Sequence, residues 1–125
     1  MDKTNFYELT YIVKSVLDES EIKAAVEKVT NYLTENGAKI DEVDEWGNRE
    51  LAYEIEGMHS GYFVNMYFEV AGEVMVQLER VLNLDDNVIR FLFLKYDSKM
   101  MRHRELAKKG EVPDIFIVEE EEENS

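Results

Sequence analysis

The chain has 125 residues, a length suited to one domain, and 45% hydrophobic with 11% aromatic side chains supply a core. Its 28 acidic side chains against 14 basic ones leave a net charge of -14, and the absence of cysteine excludes disulfides, thiol catalysis and cysteine-ligated zinc. No apolar run approaches the roughly 20 residues of a membrane span. Residues 1–5 carry neither a signal-peptide nor a transit-peptide pattern, so a cytoplasmic protein is expected.

Residues 6–13 alternate with period two, which predicts a strand with Tyr7, Leu9, Tyr11 and Val13 on one face and Phe6, Glu8, Thr10 and Ile12 on the other. A helix start follows. Asp18 can cap it, Glu21 three residues later completes a capping box, and Leu17 can staple to Ile22. Ile22, Ala25, Val26, Val29, Tyr32 and Leu33 then recur at helical spacing until Asn36-Gly37 stops the helix. Residues 38–55 read as extended with a bend at Trp46-Gly47-Asn48, and residues 57–61 as a turn. Residues 61–70 form a strong strand, with Val64, Met66, Phe68 and Val70 opposite Phe63, Asn65, Tyr67 and Glu69. A second helix spans residues 73–82, with Val74, Met75, Leu78, Val81 and Leu82 inward. The last strand covers residues 87–96, with Ile89, Phe91 and Phe93 opposite Val88, Arg90, Leu92 and Leu94.

The order β-α-β-β-α-β predicts an α+β, ferredoxin-like sandwich: a four-stranded antiparallel sheet with two helices on one face. Its other face would present Phe6, Ile12, Phe63, Tyr67, Leu92 and Leu94, a patch suited to interaction. Residues 1–96 hold 9 basic and 19 acidic side chains. Residues 97–125 read as a separate charged tail, basic at Lys99, Arg102, Arg104, Lys108 and Lys109, then acidic from Glu119 to Glu123. Such blocks predict an extended, solvated arm. Between them Ile115, Phe116, Ile117 and Val118 form an apolar cluster beside Pro113 that could dock on the body or on a partner.

Catalytic signals are weak, and no cofactor, metal or small-molecule substrate is expected. The two histidines, His59 and His103, lie far apart without zinc-ligand spacing. The carboxylates Asp41, Glu42, Asp44 and Glu45 sit on an extended segment and read as a solvated edge. No phosphate-binding glycine loop occurs. Lys14-Ser15-Val16-Leu17, after the first strand, lacks the glycines and arginine of an acylphosphatase loop. Residues 61–67 only distantly echo the aromatic strand of an RNA-recognition motif.

The segment Glu45-Trp46-Gly47-Asn48-Arg49-Glu50-Leu51-Ala52-Tyr53-Glu54-Ile55 resembles the W/L-G-x-R-x-L-A-Y-P-I stretch of the bacterial small ribosomal subunit protein six family. Phe6-Tyr7-Glu8, Gly61-Tyr62-Phe63 and residues 86–92 resemble that family's first, third and fourth strands in the same order. The resemblance implies a non-enzymatic constituent of the small subunit. It would pair with small ribosomal subunit protein eighteen and bind the central domain of the small-subunit rRNA. It also implies phosphate contacts from Arg49 and Arg90, with Lys99, Arg102, Arg104, Lys108 and Lys109 as further RNA-binding cations. Trp46, Tyr53, Ile115 and Phe116 are expected to face the partner protein. Glu54 replaces the family's proline, and Glu56-Gly57-Met58-His59 replaces a basic turn, which shifts weight from RNA toward the basic partner. A free-standing regulatory or dimerising module of the same fold is the alternative.

Overall fold

A computed structural model of the chain describes residues 3–108. The described residues fall into two compact units that meet in sequence between Lys95 and Tyr96. The first contains β1 (Thr4–Lys14), α1 (Glu19–Glu35), β2 (Lys39–Ile55), β3 (Met58–Ala71), α2 (Gly72–Leu84) and β4 (Val88–Lys95); the second contains α3 (Ser98–Lys108). The four strands form one sheet in the order β2-β3-β1-β4, with antiparallel pairing throughout. This is the ferredoxin-like sandwich.

Helix α1 begins where local chemistry satisfies its first amides. The Glu21 amide donates to Asp18 Oδ1 at 2.8 Å, and the Asp18 amide donates to Glu21 Oε1 at 3.0 Å. At its end Gly37 adopts φ +88°, which lets the Ala38 amide donate back to the Leu33 carbonyl at 2.9 Å. The helix buries Ile22, Ala25, Val26, Val29 and Leu33, while α2 buries Val74, Met75, Leu78 and Leu82. Both stripes pack on Tyr7, Leu9, Tyr11, Val13, Val64, Met66, Phe68 and Val70 of the central strands. One dry layer between helices and sheet therefore holds the unit together, driven by removal of apolar surface from water.

Several sequence expectations change in detail. The turn expected over residues 57–61 is tighter: Glu56 and Gly57 take φ +48° and +80°, and Ile55 pairs directly with Met58. The pairing of β1 with β4 shifts between Ile12 and Val13. Val88 consequently packs with the core, and Ile89 lies near Ile12 on the opposite side, the reverse of strict alternation. Gly61 allows that approach, because a Cβ there would collide with Ile12 Cγ2. The face away from the helices is also less open than expected, since Ile12 is buried on it.

The tail expected to be an extended arm instead starts as α3. Asp97 supplies the cap, its Oδ1 accepting from the Met100 amide at 2.8 Å and its carbonyl accepting from the Met101 amide at 3.0 Å. Lys109, Ile115, Phe116 and the acidic run Glu119 to Glu123 lie outside the described residues.

Candidate RNA and partner interface

Strand β2 forms one edge of the sheet and β4 the other. The residues singled out on β2 do not follow a regular strand. Trp46 and Arg49 are three apart, an odd spacing that would point them to opposite faces. A bulge between Glu45 and Gly47 cancels that parity. The Arg49 guanidinium carbon sits 5.6 Å from the centre of the Trp46 ring. That ring stacks on Phe63 of β3 at 6.1 Å and 17°, and its Nε1–H donates to Asp44 Oδ2 at 3.0 Å. Trp46 is therefore fixed by three neighbours while remaining 40% exposed.

A second irregularity lies further along β2. Glu50 pairs with Ser60 and Ile55 pairs with Met58, so the four residues 51–54 stand opposite His59 alone. This wide bulge carries Tyr53 outward, 62% exposed. Its hydroxyl accepts from Arg90 Nη1 at 2.8 Å, and the Arg90 guanidinium carbon lies 5.8 Å from the ring centre. Across the bulge His59 and Glu54 approach to 3.6 Å. Arg90 also lines a cleft with Lys14, Glu56, Asp85, Asp86 and Ile89.

Arg49 and Arg90, the two sheet arginines expected to touch RNA, are thus each paired with an aromatic expected to touch the partner protein. Among the described residues no carboxylate lies within ion-pair distance of Arg49 or Arg90. That is notable in a strand as acidic as β2, which carries Asp41, Glu42, Asp44, Glu45, Glu50 and Glu54. Guanidinium groups without carboxylate partners keep their donors available for phosphate. Elsewhere the acids are partly engaged: the Tyr62 hydroxyl donates to Glu45 Oε1 at 2.7 Å, and this bond pushes the phenol pKa upward.

The centre of the same face carries a polar group that the sequence reading did not single out. Asn65 is 3% exposed, and its Nδ2 donates to Glu8 Oε2 at 2.8 Å and to Thr10 Oγ1 at 2.9 Å. Both amide hydrogens are spent, so the buried side chain fixes Glu8 in place. The signal available in sequence was a lone amide within an aromatic strand, between Phe63 and Tyr67. Within the second unit, Lys99, Arg102 and Arg104 lie on α3, and Lys108 is its last residue. Lys99 and Arg102, three apart, are neighbours on the helix surface. Among the described residues no cluster of histidine and carboxylates is arranged to hold a metal ion.

A family model described as ribosomal protein S6 matches residues 6–95. The chain belongs to the ribosomal protein S6 family. The small ribosomal subunit protein bS6 of Campylobacter lari is 42% identical over 93 residues, covering 74% of this chain and 75% of that protein. The bS6 of Microcystis aeruginosa is 34% identical over 116 residues, covering 93% and 90%. Among solved structures, 30S ribosomal protein S6 from Thermotoga maritima is similar, with a TM-score of 0.75 and 27% identity, over 84% of this chain and 99% of that one. Membership gives this chain a structural role in the small ribosomal subunit. The match ends at residue 95, so α3 lies beyond it. No described helix is long and apolar enough to cross a membrane.

Proposed function

We propose that the protein is a non-catalytic constituent of the small ribosomal subunit in the bacterial cytoplasm. In this reading it pairs with small ribosomal subunit protein eighteen and binds the central domain of the small-subunit rRNA. The observation that carries this reading is the pair of arginines at opposite edges of one sheet, Arg49 and Arg90, each beside an exposed aromatic and neither, among the described residues, within ion-pair distance of a carboxylate. In a chain with twice as many acids as bases, such cations serve best as local phosphate contacts. The acidic remainder repels RNA elsewhere and favours encounter with a basic partner protein, so charge orients the molecule between the two.

Arg49 and Arg90 are the first phosphate-binding candidates, with Lys99, Arg102, Arg104, Lys108 and Lys109 as further candidate cations later in the chain. Trp46, Ile115 and Phe116 are assigned to the partner protein. The test is sedimentation of the tagged, full-length protein from a cell lysate through a sucrose gradient. Co-migration with small subunits, lost after ribonuclease treatment, is the expected result. Slow sedimentation as a free species, with subunits intact, would reject the proposal. Deleting residues 111–125 should weaken pairing with protein eighteen, and unchanged pairing would remove Ile115 and Phe116 from the interface.

A further inference from the structure

The two arginine–aromatic pairs differ in a way that assigns them different work. Trp46 is held by Phe63, Asp44 and Arg49, and one flank of its ring is already stacked. Tyr53 has Arg90 as its one hydrogen-bonding and cation partner among the described residues, and most of its surface is open. Four strand residues opposite one are a costly irregularity, because ladder hydrogen bonds are given up along the bulge. Within this bulge Tyr53 is left exposed while its hydroxyl stays within reach of Arg90. The hydrogen bond then limits the ring's swing. The result is a presented aromatic surface, restrained at its rim, with a cation alongside.

From this geometry, and resting on the rRNA-binding reading above, we infer that Tyr53 is a stacking platform for one unpaired nucleobase of the bound RNA, and that Arg90 holds the adjoining phosphate. This moves Tyr53 from the partner-protein contacts to the RNA contacts. Single-stranded RNA bases stack on exposed aromatic side chains, and guanidinium groups both steady such rings and bind phosphate. The acidic neighbours Glu50, Glu54 and Glu56 suit this division. They disfavour a long phosphate track here, so one uncharged base face is the ligand that fits beside one cation.

The test uses the full chain paired with protein eighteen and a transcript of the central domain of small-subunit rRNA, titrated by filter binding at several salt concentrations. Tyr53→Leu should weaken RNA binding by at least about fivefold, the lower end of what one stacked base contributes. It should leave the salt dependence unchanged, because no charge is lost. Tyr53→Phe, which keeps the ring, should bind within about twofold of the parent. Arg90→Gln should lower the salt slope by about 1. Ultraviolet crosslinking of the unaltered complex should join a nucleotide to Tyr53, a readout that needs no variant to fold. If the unaltered complex binds but Tyr53→Leu binds equally well, or no crosslink maps to Tyr53, the platform is overturned and the rRNA reading stands. If Tyr53→Leu instead loses pairing with protein eighteen in the absence of RNA, Tyr53 is a partner contact and the inference fails. If the unaltered complex does not bind the transcript, the rRNA reading fails and the platform with it.

Discussion

The two faces of the sheet are made by the same four strands, yet they are built on different physics. On the helix side Leu9, Tyr11, Val13, Val64, Met66 and Phe68 are sealed beneath α1 and α2 with almost no polar contact. On the other side a buried amide positions a carboxylate, and each edge strand carries an arginine resting on an aromatic. Burial on the first face is non-directional, so any well-packed apolar side chain contributes. Contacts on the second are directional and depend on which atoms meet. Stability is concentrated on one face, and the residues proposed for recognition lie on the other.

The largest expected effect comes from the sealed face. Leu78 of α2 is fully buried, and Leu78→Ala should cost about 2–5 kcal/mol in urea unfolding through lost transfer energy and the remaining cavity. A cost below 1 kcal/mol would mean that the helix layer is looser than its burial indicates. Asn65→Ala, across the sheet, should cost about 1–3 kcal/mol, because it removes two hydrogen bonds from a buried position, one of them to a carboxylate. A cost equal to that of Leu78→Ala would erase the contrast between the faces, since the polar network would then be as important to folding as the core.

The sealed face has one internal exception. The Tyr11 hydroxyl is buried without a hydrogen-bond partner among the described residues, and burial pushes its pKa well above the usual tyrosine range. Tyr11→Phe should therefore leave stability unchanged or raise it by about 1 kcal/mol. A loss of that size would reveal a partner for the hydroxyl.

The smallest effect is confined to acid. The Glu21 amide and then the Ser20 hydroxyl hold the Asp18 carboxyl below its ordinary value of 3.8. Its folded pKa is depressed, so its contribution is complete above the ordinary value and is lost as pH falls through the lower, folded one. Asp18→Ala should make unfolding less pH-dependent in that acidic window, measured by urea melts from neutral pH downward. An unaltered pH slope would show that the cap charge carries no stability.

Much of the first face was legible in sequence. Period-two strands, two amphipathic helices and the Asp18–Glu21 capping box each depend on neighbours within a few residues, and each is present in the fold. Helix α3 was missed although Asp97 stands as a cap before Met100 and Met101, because its apolar positions are sparse and the surrounding charge reads as an arm. The candidate site was legible only as a set of residue types. Arg49, Arg90, Trp46 and Tyr53 could be named, but their pairing could not, and the Asn65–Glu8–Thr10 network was not foreseen.

By itself, then, the sequence determined the order of the six elements of the first unit, the sealed face and the acidic character of the chain, because hydrophobic period and charge are local properties written one residue at a time. Tertiary structure decided which side chains meet on the other face. Bulges in β2 and a register shift between β1 and β4 reverse the parity of alternation, and they arise from how strands fit against one another. Trp46 reaches Arg49 through one bulge, Tyr53 reaches Arg90 through another, and Ile89 trades places with Val88. A period read along one strand cannot record a residue that its partner strand leaves unpaired.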